Sequence, residues 1–180
     1  MKTQKILAEI KVGEIFEVAG IEFIKFPLED GKTAAVAKDI LFKSTFGDNN
    51  NLTTSKILKM LQTEFLPKII EAVGEENVCE FETDLTTLDG LKPYPALKSK
   101  ISLPTLDFYR QNVEVFDKHK VKTWWWLATP ESSNAHSNSN WILCVSPDGN
   151  IRYGGYYYDD YGVRPFLIFK SSIFESFENE

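Results

Sequence analysis

From Ile15 onward the apolar positions come in short runs separated by turn residues. Ile15-Phe16-Glu17-Val18 and Ile21-Glu22-Phe23-Ile24-Lys25-Phe26 partly alternate apolar with polar, the period-two signature of strands with one face buried. Between them, Ala19-Gly20 predicts a tight hairpin, with glycine supplying the positive φ that a two-residue loop needs. Asp30-Gly31 marks the next turn, and Thr33-Ala34-Ala35-Val36-Ala37 a third strand. The chain therefore opens as an antiparallel meander, with a further short strand expected at residues 6–10.

The period changes after a polar loop at residues 43–53. Ile57, Leu58, Leu61 and Phe65 fall on one helical stripe, with Thr53 or Thr54 as the expected cap. Pro67 predicts an end or kink, and Ile69, Ile70 and Val73 carry a second short turn to a stop at Gly74. Residues 78–81 suggest a short strand, and Gly90, Pro93 and Pro95 mark a loop. A short helix is expected at residues 106–110, capped by Ser102 or Thr105. The last third is strand-like again, at residues 124–129, 141–145, 151–158 and 163–169. A polar loop at 131–140, Pro147-Asp148-Gly149-Asn150 and Asp159-Asp160-Tyr161-Gly162 separate these runs. The pattern specifies an α+β class: antiparallel sheets with two or three short helices, in a single domain 1–180 whose tail, 171–180, is expected to fray.

Composition narrows the function classes. A chain of 180 residues that is 43% hydrophobic and 26% charged can build a core, which argues against global disorder. The net charge of −6 disfavours non-specific binding to nucleic acid and to anionic membrane surfaces. No apolar run approaches the roughly 18 residues of a membrane span, and Met-Lys-Thr-Gln-Lys does not open a signal peptide, so a cytoplasmic location is expected. Cys79 and Cys144 each sit in an apolar run and read as buried free thiols, with a disulfide between them left open. His119 and His136 form no zinc spacing with either cysteine, and neither an EF-hand nor a phosphate-binding glycine loop occurs. No metal, no cofactor and no catalytic residue is expected.

Trp125-Trp126-Leu127-Ala128-Thr129-Pro130, Trp141, Ser146-Pro147-Asp148-Gly149 and Gly162-Val163-Arg164-Pro165 together resemble an uncharacterised domain family. That family is common in Gram-positive bacteria and their phages and ends in a Gly-Val-Arg-Pro strand. Lys11-Val12-Gly13-Glu14, Gly20-Ile21-Glu22-Phe23, Asp30-Gly31-Lys32, Thr54-Ser55-Lys56 and the segment Asp84-Leu85-Thr86-Thr87-Leu88-Asp89-Gly90 extend the resemblance over nearly the whole chain. It implies a C-type-lectin-like fold, related to that of formylglycine-generating-type enzymes and phage variable receptor-binding proteins. In that fold the two chain ends meet on one sheet and loops crowd one face. The paired active cysteines of formylglycine-generating enzymes have no counterpart here, and a fold by itself names no substrate.

The candidate binding residues gather in the last third. On a strand, Trp124 and Trp126 share one face and Trp125 the other; at least one face packs into the core, and the other can serve an aromatic platform. In the 131–140 loop, Asn134, His136, Asn138 and Asn140 offer adaptable hydrogen bonds. Tyr153, Tyr156, Tyr157 and Tyr158, with Asp160, add rigid amphipathic contacts, a composition like that of antibody paratopes. Arg164, in an apolar strand, must be paired or reach a surface: either an ion pair with Asp148, Asp159 or Asp160, or an anion-binding group.

The function expected is a non-enzymatic binding module, of phage or mobile-element origin, engaging a host protein through this face. A defence protein is one such host target, and its location would be the host cytoplasm. Two alternatives stand beside it: a small-ligand domain for a carbohydrate or nucleotide-like molecule, and a structural or oligomerising domain.

Overall fold

The computed structural model describes residues 5–136 and 138–174. The opening meander forms as the alternation predicts: β1 (Ile15–Val18), β2 (Ile21–Phe26) and β3 (Lys32–Ala37), all antiparallel. Ala19 and Gly20 both take positive φ, 55° and 74°, which matches the turn twist to the right-handed twist of the strands. After β4 (Phe42–Lys43) comes one helical run, α1 (Lys56–Met60), a π turn (Leu61–Phe65) and α2 (Leu66–Val73). Its cap is Ser55, whose hydroxyl accepts from the Leu58 N–H at 3.0 Å; Thr53 and Thr54 lie in a preceding 3-10 turn. Pro67 does not end the helix. It falls in the first turn of α2, where its missing N–H costs little, and the wide π turn precedes it. Gly74, at φ 89°, is the stop.

The middle of the chain gives β5 (Phe81–Thr83), β6 (Leu97–Ser99), α3 (Leu106–Gln111) and α4 (Val113–Asp117). β5 starts later than expected because Val78 instead bridges Phe169, and the Cys79 N–H donates to the Ile168 carbonyl at 2.8 Å. Thr105 caps α3 through the Phe108 N–H at 3.2 Å. The last third supplies β7 (Trp125–Pro130), β8 (Trp141–Val145), β9 (Ile151–Gly155), β10 (Gly162–Val163) and β11 (Phe166–Lys170).

One sheet has the order β1-β2-β3-β11, a second β4-β10-β7-β8-β9, and β5 pairs with β6. The fold is therefore α+β with mostly antiparallel pairing; β10 runs parallel to β7. Two apolar clusters hold the layers together, and alternate residues of β7 divide between them. Trp126 and Ala128 join Phe16, Phe23, Ile57 and Phe169 in one, while Trp125 and Leu127 join Phe26, Tyr109 and Phe116 in the other.

The first and last described segments meet. Residues 6–10 form a 3-10 turn (Leu7–Glu9) rather than a strand, closed by the Glu9 carboxylate accepting from the Ile6 N–H at 3.1 Å. Leu7 and Ala8 donate to the Ile173 and Ser171 carbonyls, and Ile6 bridges Phe174. Residues 171–174 of the expected frayed tail are thus docked; 175–180 lie outside the described residues. Both cysteines are free, Cys144 buried but Cys79 only half-buried. Among the described residues no helix is long and apolar enough to cross a membrane.

Candidate functional site

Loops from four parts of the chain converge where β7 ends and β8 begins. The centre is Asn50, fully buried among polar neighbours. Its side-chain amide donates to the Ser132 carbonyl at 2.8 Å and the Trp141 carbonyl at 3.1 Å, and its own N–H donates to Ser139 at 2.8 Å. Tyr94 donates its hydroxyl to the Asn50 side-chain oxygen. One asparagine therefore pins both ends of the 131–140 loop to residues 43–54 and to Tyr94. From the other side, Leu88 donates to the Pro130 carbonyl at 2.9 Å, and the His136 Nδ1 meets Asp89 Oδ2 at 2.7 Å. The Thr87 hydroxyl also donates to Asp89, and with His136 it holds that carboxyl below its usual range.

Beside this loop lies an aromatic surface. Tyr153 is 58% exposed, Tyr157 53% and Tyr158 36%. Trp141, half-buried at the start of β8, contacts Tyr153 edge-on with centroids 5.6 Å apart and Tyr157 at 6.4 Å. Tyr157 continues edge-on into Tyr156 at 5.3 Å and Tyr158 at 5.1 Å. Gly155 makes this possible: a Cβ there would sit 2.6 Å from the Tyr157 ring, so only glycine lets the ring lie against the strand. Tyr161 does not share the surface. It is buried against Trp126, at 4.6 Å, and burial pushes its hydroxyl up to about 12.

The candidate residues thus separate. Asn134, His136, Asn140, Tyr153, Tyr157, Tyr158 and Asp160 are exposed, and Asn138 and Tyr156 half-buried. Trp125 is a correction: at 2% exposure it packs against Tyr109 and Phe116, because α3 and α4 cover the face of β7 left open in the sequence reading.

Arg164 is a second correction. It is 1% exposed and pairs with none of Asp148, Asp159 and Asp160. Its Nε donates to the Ala37 carbonyl and its Nη2 to the Lys38 carbonyl, both at 2.9 Å, and the guanidinium lies 4.8 Å from the Trp125 ring centre. Burial lowers its pKa to about 10, so it remains a cation at neutral pH. Arg164 ties the approach to β11 to the end of β3.

Trp125, Arg164, the loop and the tyrosines all lie within one recognisable stretch. Residues 99–171 match the model of a family described as a domain of unknown function, DUF6273. The DUF6273 stretch takes in α3, α4 and β7 to β11, and agrees with a resemblance to an uncharacterised domain family. No curated protein and no solved structure matches the chain. Asn50, Asp89 and Tyr94, which anchor the loop from outside DUF6273, escaped the sequence reading. The polar run Asp48-Asn49-Asn50-Asn51 looks solvated; its only signal is length, since the partners of Asn50 lie 82 and 91 positions away.

Proposed function

We propose that the chain is a non-enzymatic binding module that engages a protein partner through the aromatic surface and the adjoining polar loop. The carrying observation is the exposure of Tyr153, Tyr157 and Tyr158 around Trp141, next to a loop pinned by Asn50. Rigid rings offer large contact area at low entropic cost, and the asparagines Asn134, Asn138 and Asn140, with His136, offer adaptable hydrogen bonds. Pinning both loop ends lowers the cost of ordering it in a complex.

A C-type-lectin-like fold accords with the pairing of residues 6–8 with 171–174 beside one sheet and the crowding of loops where β7 ends and β8 begins. The reading extends to a phage or mobile-element protein acting in the cytoplasm of a Gram-positive host. A basic host protein suits the chain's −6 charge and the exposed Asp159 and Asp160, which follow the tyrosines in sequence.

The test is affinity capture from host lysate by the wild type, Tyr153→Ala, Tyr157→Ala and, as a distant control, Lys68→Ala. The partner is expected with the wild type and the control and lost with the tyrosine variants. Equal recovery by all four would overturn the assignment of the face.

A further inference from the structure

Three cavities adjoin one another along the segment that carries β5, and none of Tyr153, Tyr157 and Tyr158 lines them. The largest, about 650 Å³, lies between residues 27–32 and 79–81. It shares Phe81 with a second of about 240 Å³, which shares Asp84, Thr105 and Asp107 with a third of about 270 Å³. Shared wall residues set the three in a row, a segmented groove from the β2–β3 turn past β5 to the N-terminal end of α3.

The floor is apolar. Phe81, Phe108 and Phe166 are each half-buried and meet edge-on, Phe166 lying 5.0 Å from Phe81 and 4.9 Å from Phe108. The rim is acidic. Glu29, Asp30, Glu80, Glu82, Asp84 and Asp107 line it, against Lys32 and Arg110. Arg110 is already neutralised by Asp107 at 2.6 Å. Among the described residues none of Glu29, Asp30, Glu80 and Glu82 is in an ion pair. Glu80, Glu82 and Asp84 are exposed and recur at every second position, roughly 7 Å apart along an extended backbone.

We infer that this groove docks an extended segment of a partner protein in which basic and apolar residues alternate. Such a segment repeats its cations at the spacing of Glu80, Glu82 and Asp84, and turns its apolar side chains onto the phenylalanines. The inference is independent of the aromatic face.

Fluorescence anisotropy of the full chain with two labelled peptides tests it, one alternating lysine and leucine, the other glutamate and leucine. The basic peptide binds, and binding weakens as salt rises. The variant Glu80→Lys/Glu82→Lys melts a few degrees below the wild type, because Glu82 faces Lys98 across β5 and β6, but is folded at assay temperature and binds roughly tenfold more weakly or worse, because like charges facing across an interface oppose association. Cys79 lines the widest cavity and Cys144 is buried, so saturating basic peptide slows maleimide labelling of the native protein at Cys79. Tyr157→Ala leaves all this unchanged. Equal affinity for both peptides, undiminished affinity in the charge-reversal variant, or unprotected Cys79 would each overturn the inference. Loss of binding in Tyr157→Ala alone would assign the peptide to the aromatic face and overturn it too.

Discussion

Replacing Arg164 by methionine sets two large effects against each other. Methionine matches the length of the apolar stem but carries no donor. The Ala37 carbonyl, in a fully buried residue, loses the Nε bond at 2.9 Å, and the Lys38 carbonyl, nearer solvent, loses the Nη2 bond at 2.9 Å. Bonds from a charged donor contribute about 1.5–3 kcal/mol each, and stacking on Trp125 adds up to about 2 kcal/mol when desolvated. Against this, methionine removes a buried cation that no carboxylate contacts and that Asp39 favours only at longer range, a saving of several kcal/mol. The bonds should win, because the orphaned acceptors belong to the backbone and cannot be replaced along with the arginine. The expected net loss is about 2–4 kcal/mol, read as a fall in Tm of roughly 4–16 °C for a chain of this size. Arg164→Lys should lose a similar amount, since one ammonium cannot reproduce the planar fork and its stack. Calorimetry and urea titration measure both. A melting point for Arg164→Met equal to or above the wild type would refute the reasoning: desolvation would then outweigh the bonds, and the arginine would need another reason to be there.

Trp126→Ala removes a fully buried ring packed on Phe46 and Tyr161 and deprives the Ser44 carbonyl of its indole donor at 3.1 Å. Urea titration should show a loss of about 3–5 kcal/mol, and a loss below about 1 kcal/mol would contradict that packing. Gly155→Ala drives a Cβ to 2.6 Å from the Tyr157 ring. It should displace the ring and abolish partner capture while changing Tm by only a few degrees; intact capture would show that the ring position does not matter. At alkaline pH the sign follows from Cys144 and Tyr161, which burial raises from 9.0 and 10.0 to about 12 each. Their contribution is full below the unfolded pKa values and is lost as pH rises toward about 12, at up to about 1.4 kcal/mol per pH unit for each group. Urea titrations through that range should therefore fall more steeply for the wild type than for Cys144→Ala, and parallel curves would count against the buried thiol.

The meander was legible because two local signals agree there: alternation set the strands, and Ala19-Gly20 and Asp30-Gly31 supplied positive φ at both turns. The alternation of the tryptophans was legible for the same reason. What covers Trp125 was not. A strand buried on two faces and a strand with one open aromatic face both read as an apolar run, and the cover comes from Tyr109 and Phe116, on helices the run does not mention. Arg164 failed in a different way. Its acceptors are backbone carbonyls 126 and 127 positions away, which no residue type announces, so a search for an aspartate partner had nothing to find. The exposed tyrosines were legible because their run is too polar and too ring-rich for a core strand.

The same long-range bonds bear on how large the working unit is. The match to DUF6273 spans residues 99–171 and takes in every residue of the aromatic surface. Yet β11, inside it, forms its sheet with β3, which lies outside, and Arg164 closes on carbonyls of residues 37 and 38. Asn50, also outside, holds both ends of the 131–140 loop, and Asp89 holds His136. A segment cut at the limits of the DUF6273 match would therefore keep the residues proposed to make contact and lose the bonds that position them. Asn50→Ala should show this in the full chain. It frees the Ser132 and Trp141 carbonyls without touching an exposed side chain, so partner capture should weaken although Tyr153, Tyr157 and Tyr158 remain in place. Capture as strong as the wild type would mean that the tyrosines act without the loop.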